Sequence, residues 1–202
     1  MIVGTVICYN DMPLVQNCIE SIINKVDRII AIDGKYADFP GISGSSTDGT
    51  IQYLESLDKV KVIMTSGLSE IEKRNLYLEQ LVDGDTVLNL DTDEVLIGNF
   101  PKIASMWGII DLKDGHSKHI QRRASRVFKY RNGIKYENTH CTLYYNGKII
   151  NKLCEVINKD FTFELIKGCH ILHNWHLRND RRKFEKMKYY KKLVKKESGF
   201  IK

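Results

Sequence analysis

At 202 residues, 43% hydrophobic and 28% charged, the chain carries enough apolar material for one full core, which excludes a disordered or fibrous protein. Its net charge of +6 is concentrated at one end: from Leu177 onward eleven Lys or Arg face three acids, and the rest carries a net of −2, so nucleic acid is not an expected partner. No run of eighteen apolar residues occurs and the opening Met1 to Cys8 lacks a signal peptide's basic flank, which sets the expectation of a cytoplasmic chain.

Ile2 to Cys8 is a near-continuous apolar run with β-branched residues, the pattern of a strand covered on both faces. Tyr9-Asn10-Asp11 breaks it, and Leu14, Val15, Cys18, Ile19, Ile22 and Ile23 then recur at helical spacing, with Asn10 or Asp11 available as a cap. Val26 to Ile32 is a second strand ending in Asp33-Gly34. Lys35 to Ser46 contains Pro40, Gly41, Gly44 and Ser45 and has no periodicity, so it reads as a long mobile loop.

Ser46-Thr47-Asp48-Gly49-Thr50 opens a short helix through Ile51, Leu54 and Leu57, and Val60 to Met64 is a third strand. A third helix begins at Ser69, with Glu72 in capping-box relation to it. The fourth strand, Asp85 to Leu90, delivers Asp91-Thr92-Asp93-Glu94 at its end. In an open α/β sheet ligands bind at that edge. Two adjacent acids are costly to desolvate without a cation, and hard oxygen ligands suit Mg²⁺ or Mn²⁺. Four strands separated by helices in about ninety residues predict a parallel, Rossmann-like sheet flanked by helices.

The second half changes character. Arg126 to Tyr130, Thr142 to Tyr145 and Lys148 to Ile150 are short strand candidates, and Asn146-Gly147 signals a tight hairpin. This predicts a small antiparallel or mixed region. Cys169 to His176 is a further strand with His170, His173 and His176 along it, and Asp180 to Lys196 is a lysine-rich amphipathic helix. The expected organisation is one domain over 1–202: a nucleotide-binding half at 1–98, an acceptor-side half at 99–176 and a basic C-terminal helix at 177–202. The five cysteines form no CxxC pair and read as reduced structural thiols.

These residues together resemble the inverting nucleotide-sugar glycosyltransferases of family 2, which have the GT-A fold. The resemblance rests on the strand closing in Tyr9-Asn10, the Asp33-Gly34 strand end, the Gly44 to Thr50 turn, Lys73-Arg74-Asn75, and Leu90-Asp91-Thr92-Asp93-Glu94 as a DxD-Glu element. It departs from the family in the dozen residues between Asp33 and the Ser-Thr-Asp-Gly turn. The resemblance implies a UDP- or GDP-linked sugar donor held by Tyr9, Asn10, Asp33, Arg74, Asn75 and Asp91. It also implies a divalent ion, Mn²⁺ or Mg²⁺, on Asp93 with His173.

Glu155, eighteen residues before His173, matches the family's catalytic base, although Cys154 stands where the family has histidine. A second register places Thr139-His140-Cys141 on that motif with Glu137 as the nearest acid; Asp160 is a further candidate. The implied acceptor is a glycan, lipid-linked or protein hydroxyl. The basic helix is a solvated surface or a peripheral membrane contact. Rival readings are a nucleotidyltransferase, which would carry a Gly-rich loop where Tyr9 to Pro13 stand, and a catalytically degenerate binding or structural module.

Overall fold

The computed structural model describes residues 1–40, 43–103, 105–137, 142–152, 155–156 and 161–197. The first half folds as its periodicity predicts: β1 (Ile2–Cys8), α1 (Leu14–Ile22), β2 (Arg28–Asp33), α2 (Thr50–Glu55), β3 (Val60–Met64), α3 (Glu70–Leu78) and β4 (Thr86–Asp91). The strands β3-β2-β1-β4 lie side by side and parallel. Both faces are apolar because alternate residues enter different cores. Val6, Cys8, Ile29 and Ala31 join the cluster with α1 residues Val15, Cys18 and Ile19, while Val3, Ile30 and Ile32 pack with Tyr77 and Leu78 of α3.

Two local expectations change. Helix α1 starts after Pro13 without a side-chain cap, because Asn10 and Asp11 are engaged elsewhere: the Asn10 side-chain Oδ1 accepts from Thr47 N at 2.7 Å and the Asp11 carboxylate from Tyr9 N at 3.3 Å. The loop after Asp33, expected to be mobile, is anchored where it is described. Tyr36 stacks on Tyr189 with centroids 5.8 Å apart, and Phe39 is buried between Tyr9 and Tyr189. The Ser69–Glu72 capping box forms as predicted.

After Asp93 the chain continues as β5 (Glu94–Gly98), β6 (Trp107–Asp114) and β7 (Ile120–Lys129), then β8 (Ile134–Tyr136), β9 (Leu143–Tyr145), β10 (Lys148–Lys152) and β11 (Glu155–Val156). It closes with β12 (Phe163–Leu165), β13 (Cys169–His173), a single 3₁₀ turn at Trp175–Leu177 and α4 (Asp180–Glu197). The main sheet therefore extends well into the second half, in the order β3-β2-β1-β4-β7-β6-β13-β5 with β12 on β6. Only β8 to β11 form the separate antiparallel sheet. The result is a GT-A-like α/β architecture, a curled mostly parallel sheet flanked by helices beside a small antiparallel sheet. Cys8, Cys18 and Cys169 are buried and free.

Candidate active site

The carboxyl ends of β1 and β4 form the floor of a pocket, and further elements supply its walls. Tyr9 and Asp11 come from the end of β1, Asp91 and Thr92 from β4, Glu70 and Arg74 from α3, Arg122 and Arg126 from β7, and Arg178, Arg182 and Lys186 from the last turn and α4. Strand β13 reaches the same edge because it pairs antiparallel with β5, placing His173 opposite Glu94. This pairing brings a residue from near the chain's end beside the Asp91–Asp93 turn.

Each acid of that turn has a different partner. Asp93 is 1% exposed and its Oδ2 accepts from Arg178 Nε at 2.8 Å, with His173 Nε2 3.6 Å away. Asp91 is more open, its side chain 37% exposed, and takes Arg126 at 2.8 Å and Arg74 at 3.6 Å. Burial raises both carboxyls, but the surrounding cations outweigh it and hold both below the usual carboxylate range: Arg126, Arg74 and Lys186 at Asp91, and His173, Lys186 and Arg178 at Asp93. Glu94 is buried next to them and accepts from Asp91 N at 2.9 Å and from Arg126 at 2.5 Å. Burial and the two neighbouring aspartates push it up to about 7 despite Arg126. Its backbone bond makes it the anchor of the turn.

The remaining expected residues divide. Tyr9 lines the pocket, its hydroxyl donating to Ser43 O at 2.7 Å. Arg74 lines it too, while forming the i,i+4 pair with Glu70 at 2.9 Å. Asp33 is fully buried, and its carboxylate accepts from Ser46 N at 3.0 Å and from the Ser46 hydroxyl. Asn10 holds the same turn through Thr47 N. Asn75 faces away, exchanging two hydrogen bonds with the backbone of Tyr136, at 3.0 and 2.8 Å. Glu155 pairs with Lys152 between β11 and β10, but its side chain, like Cys154, His140, Cys141 and Asp160, lies outside the described residues. Glu137 is ion-paired with Lys135.

Two observations bear on a divalent ion. Asp93 Oδ1 is buried with no hydrogen-bond partner among the described residues, which in a folded protein asks for a missing cation or donor. Next to that carboxylate stands the His173 imidazole. One carboxylate and one imidazole fit an ion that completes its shell with substrate phosphates and water. They do not make a closed cage, and among the described residues no three His, Cys, Asp or Glu cluster to form one.

The basic helix proves to be part of the site. Arg182 and Lys186, one turn apart on α4, face the pocket, and Arg178 joins them from the extended residue just before the helix. Arg178 is buried and bridges Asp93, Asp11 at 2.7 Å and Thr92 at 3.0 Å. Arg182 lies over the rings of Tyr9 and Phe39 at 5.3 and 4.6 Å. Sequence reasoning missed these three because a lysine-rich helix reads as solvated surface; the i, i+4 spacing of Arg182 and Lys186 followed by Tyr189-Tyr190 was the available signal for two of them.

No protein-family profile matches the chain, and no curated protein matches its sequence. Among solved structures, it is similar to S. aureus TarS, with a TM-score of 0.47 and 20% identity over 60% of this chain and 23% of that one. A TarS 1–349 structure in complex with UDP-GlcNAc gives 0.45 and 21% over 60% of this chain and 37% of that one. The chain spans less than two fifths of the length of these structures.

Proposed function

We propose that the protein transfers a sugar from a nucleotide-diphosphate-sugar donor to an acceptor hydroxyl, with inversion and with help from a divalent metal. The observation that carries this reading is the pocket itself. The carboxyl edge of a parallel sheet meets the Asp91–Asp93 turn under walls bearing six cationic side chains against three acids. Such a lining attracts an anion, and the edge is where α/β sheets bind nucleotides. The family resemblance of the sequence motifs points the same way.

In this reading Tyr9 and Arg74 border the nucleotide, with Asn10 and Asp33 shaping the turn that closes its far side. Asp93 and His173 would hold Mn²⁺ or Mg²⁺, which stabilises negative charge developing on the diphosphate. The acceptor oxygen attacks the anomeric carbon in line. As that bond forms, the bond from the anomeric carbon to the diphosphate breaks and its electron pair leaves on the phosphate oxygen. The hydroxyl proton passes to a carboxylate base, the role assigned to Glu155.

A lipid-linked acceptor gains support from the outer face of α4. Phe184 and Met187 are 63% and 47% exposed and stand among Lys183, Lys188, Lys191 and Lys192, the composition of an interfacial helix on an anionic surface. No described helix is long and apolar enough to cross a membrane. In this reading the protein sits peripherally, on the cytoplasmic side of a membrane.

Calorimetric titration of UDP and GDP with and without Mn²⁺ tests the donor site. One of them should bind in a metal-dependent way, and Asp93→Ala should abolish that dependence. Absence of binding by both at millimolar concentration would sink the proposal. For the base, Glu155→Gln should retain donor binding and lose transfer; full transfer by that variant would move the role to Glu137 or Asp160.

A further inference from the structure

The cations of the pocket differ in how they are matched. Arg74 is paired with Glu70 and Asp91, Arg126 with Asp91 and Glu94, and Arg178 with Asp11 and Asp93. Arg182 donates to Tyr9 O at 2.5 Å and approaches Asp11 and Glu185 at 3.8 and 4.0 Å. Lys186 and Arg122 also line the pocket, yet neither side chain has a hydrogen bond or an ion pair among the described residues. The Lys186 Nζ lies 6.0 Å from the centroid of the Tyr190 ring. They come from different walls, α4 and β7.

We infer that Lys186 and Arg122, the pocket cations without a side-chain hydrogen bond or ion pair among the described residues, are the contacts for the diphosphate of a nucleotide-diphosphate sugar. This rests on the donor-site reading above. Physically, an unpaired ammonium or guanidinium in a part-enclosed site is a strong point for a phosphate oxygen, because no competing carboxylate has to be displaced. The position is also right for the chemistry. Lys186 and Arg122 line the same pocket as Asp91 and Thr92, beside the turn where the metal-held diphosphate would sit. When the anomeric bond breaks, the leaving diphosphate gains a negative charge, and cations already in place favour that state without reorganising.

The inference makes α4 part of the donor pocket. Arg182, stacked on Tyr9 and Phe39, and Tyr189, stacked on Tyr36, pin the helix so that Lys186 one turn later points inward. Arg182 is thus a positioning residue and Lys186 a binding one.

The test uses the full chain and three probes: the nucleoside diphosphate that binds wild type, its nucleoside, and inorganic pyrophosphate. Lys186→Ala and Arg122→Ala should each weaken nucleoside diphosphate and pyrophosphate about tenfold or more, leave nucleoside affinity unchanged, and flatten the salt dependence of diphosphate binding. Lys186→Arg should restore most of the loss. If both alanine variants bind the diphosphate like wild type, or lose nucleoside equally, the inference is overturned. Wild type that binds pyrophosphate through Lys186 but no nucleotide would keep the anion site and remove the donor reading; wild type that binds none of the three removes both.

Discussion

Arg178 and Asp93 form a buried pair at 2.8 Å although 85 residues separate them, and the same guanidinium reaches Asp11 and Thr92. One side chain thus ties the ends of β1 and β4 to the root of α4. Removing it leaves two buried carboxylates without their main partner, so Arg178→Met should lower unfolding free energy by about 3–5 kcal/mol in guanidinium titration. Arg178→Lys should recover only part, because one ammonium cannot match three acceptors in a planar fork. A loss under about 1 kcal/mol would mean the pair is as weak as a surface one.

Asn75 separates a structural role from a ligand role. Its amide both donates to and accepts from the Tyr136 backbone, joining α3 to β8 of the small sheet. Asn75→Ala should cost about 1–3 kcal/mol with nucleotide affinity unchanged in calorimetry. Weaker nucleotide binding at full stability would instead return Asn75 to the pocket.

Asp33 presents the complementary case. Its buried carboxylate is held by Ser46 through backbone and hydroxyl, which accounts for the acid at that strand end without a ligand. Ser46→Ala should therefore destabilise the fold by about 1–3 kcal/mol, since a buried charge loses a donor. It should also speed proteolytic nicking near residues 43–50. If Asp33→Asn weakens nucleotide binding while the melting temperature stays put, the carboxylate serves the base after all.

The parallel half was legible because β1, β2 and β4 are covered on both faces and must be apolar along their whole length. That requirement writes itself into Ile2 to Cys8 and Ile29 to Ile32, and it puts the strand-end residues Tyr9, Asp33 and Asp91 at one edge. The strands β5 and β6 were not legible. Glu94 to Gly98 follows an acidic turn, and Trp107 to Asp114 mixes Ile110 and Leu112 with Asp111, Lys113 and Asp114, so its pairing is decided by β7 and β13 rather than by local pattern. Arg178 was invisible for a related reason. A buried arginine is recognised by the acids it meets, and those lie far away in sequence.

Lys73 offers a pH readout away from the acid turn. It is fully buried, donates to Gly34 O, and lies 5.1 Å from the Tyr36 ring centroid. Burial lowers its pKa from 10.5 to about 8, against the charge of Asp33. Because the folded value lies below the unfolded one, the unfolded chain binds more protons between about pH 8 and 10.5, and stability contributed at this site rises with pH across that window. Lys73→Met removes the titration while keeping the stem's volume. The stability of wild type relative to Lys73→Met should therefore climb by about 2 kcal/mol between about pH 7 and 9.5, read by urea unfolding of both proteins in matched buffers. A difference that stays flat would show that Lys73 keeps its ordinary pKa, with the Gly34 carbonyl and Asp33 compensating fully for its burial.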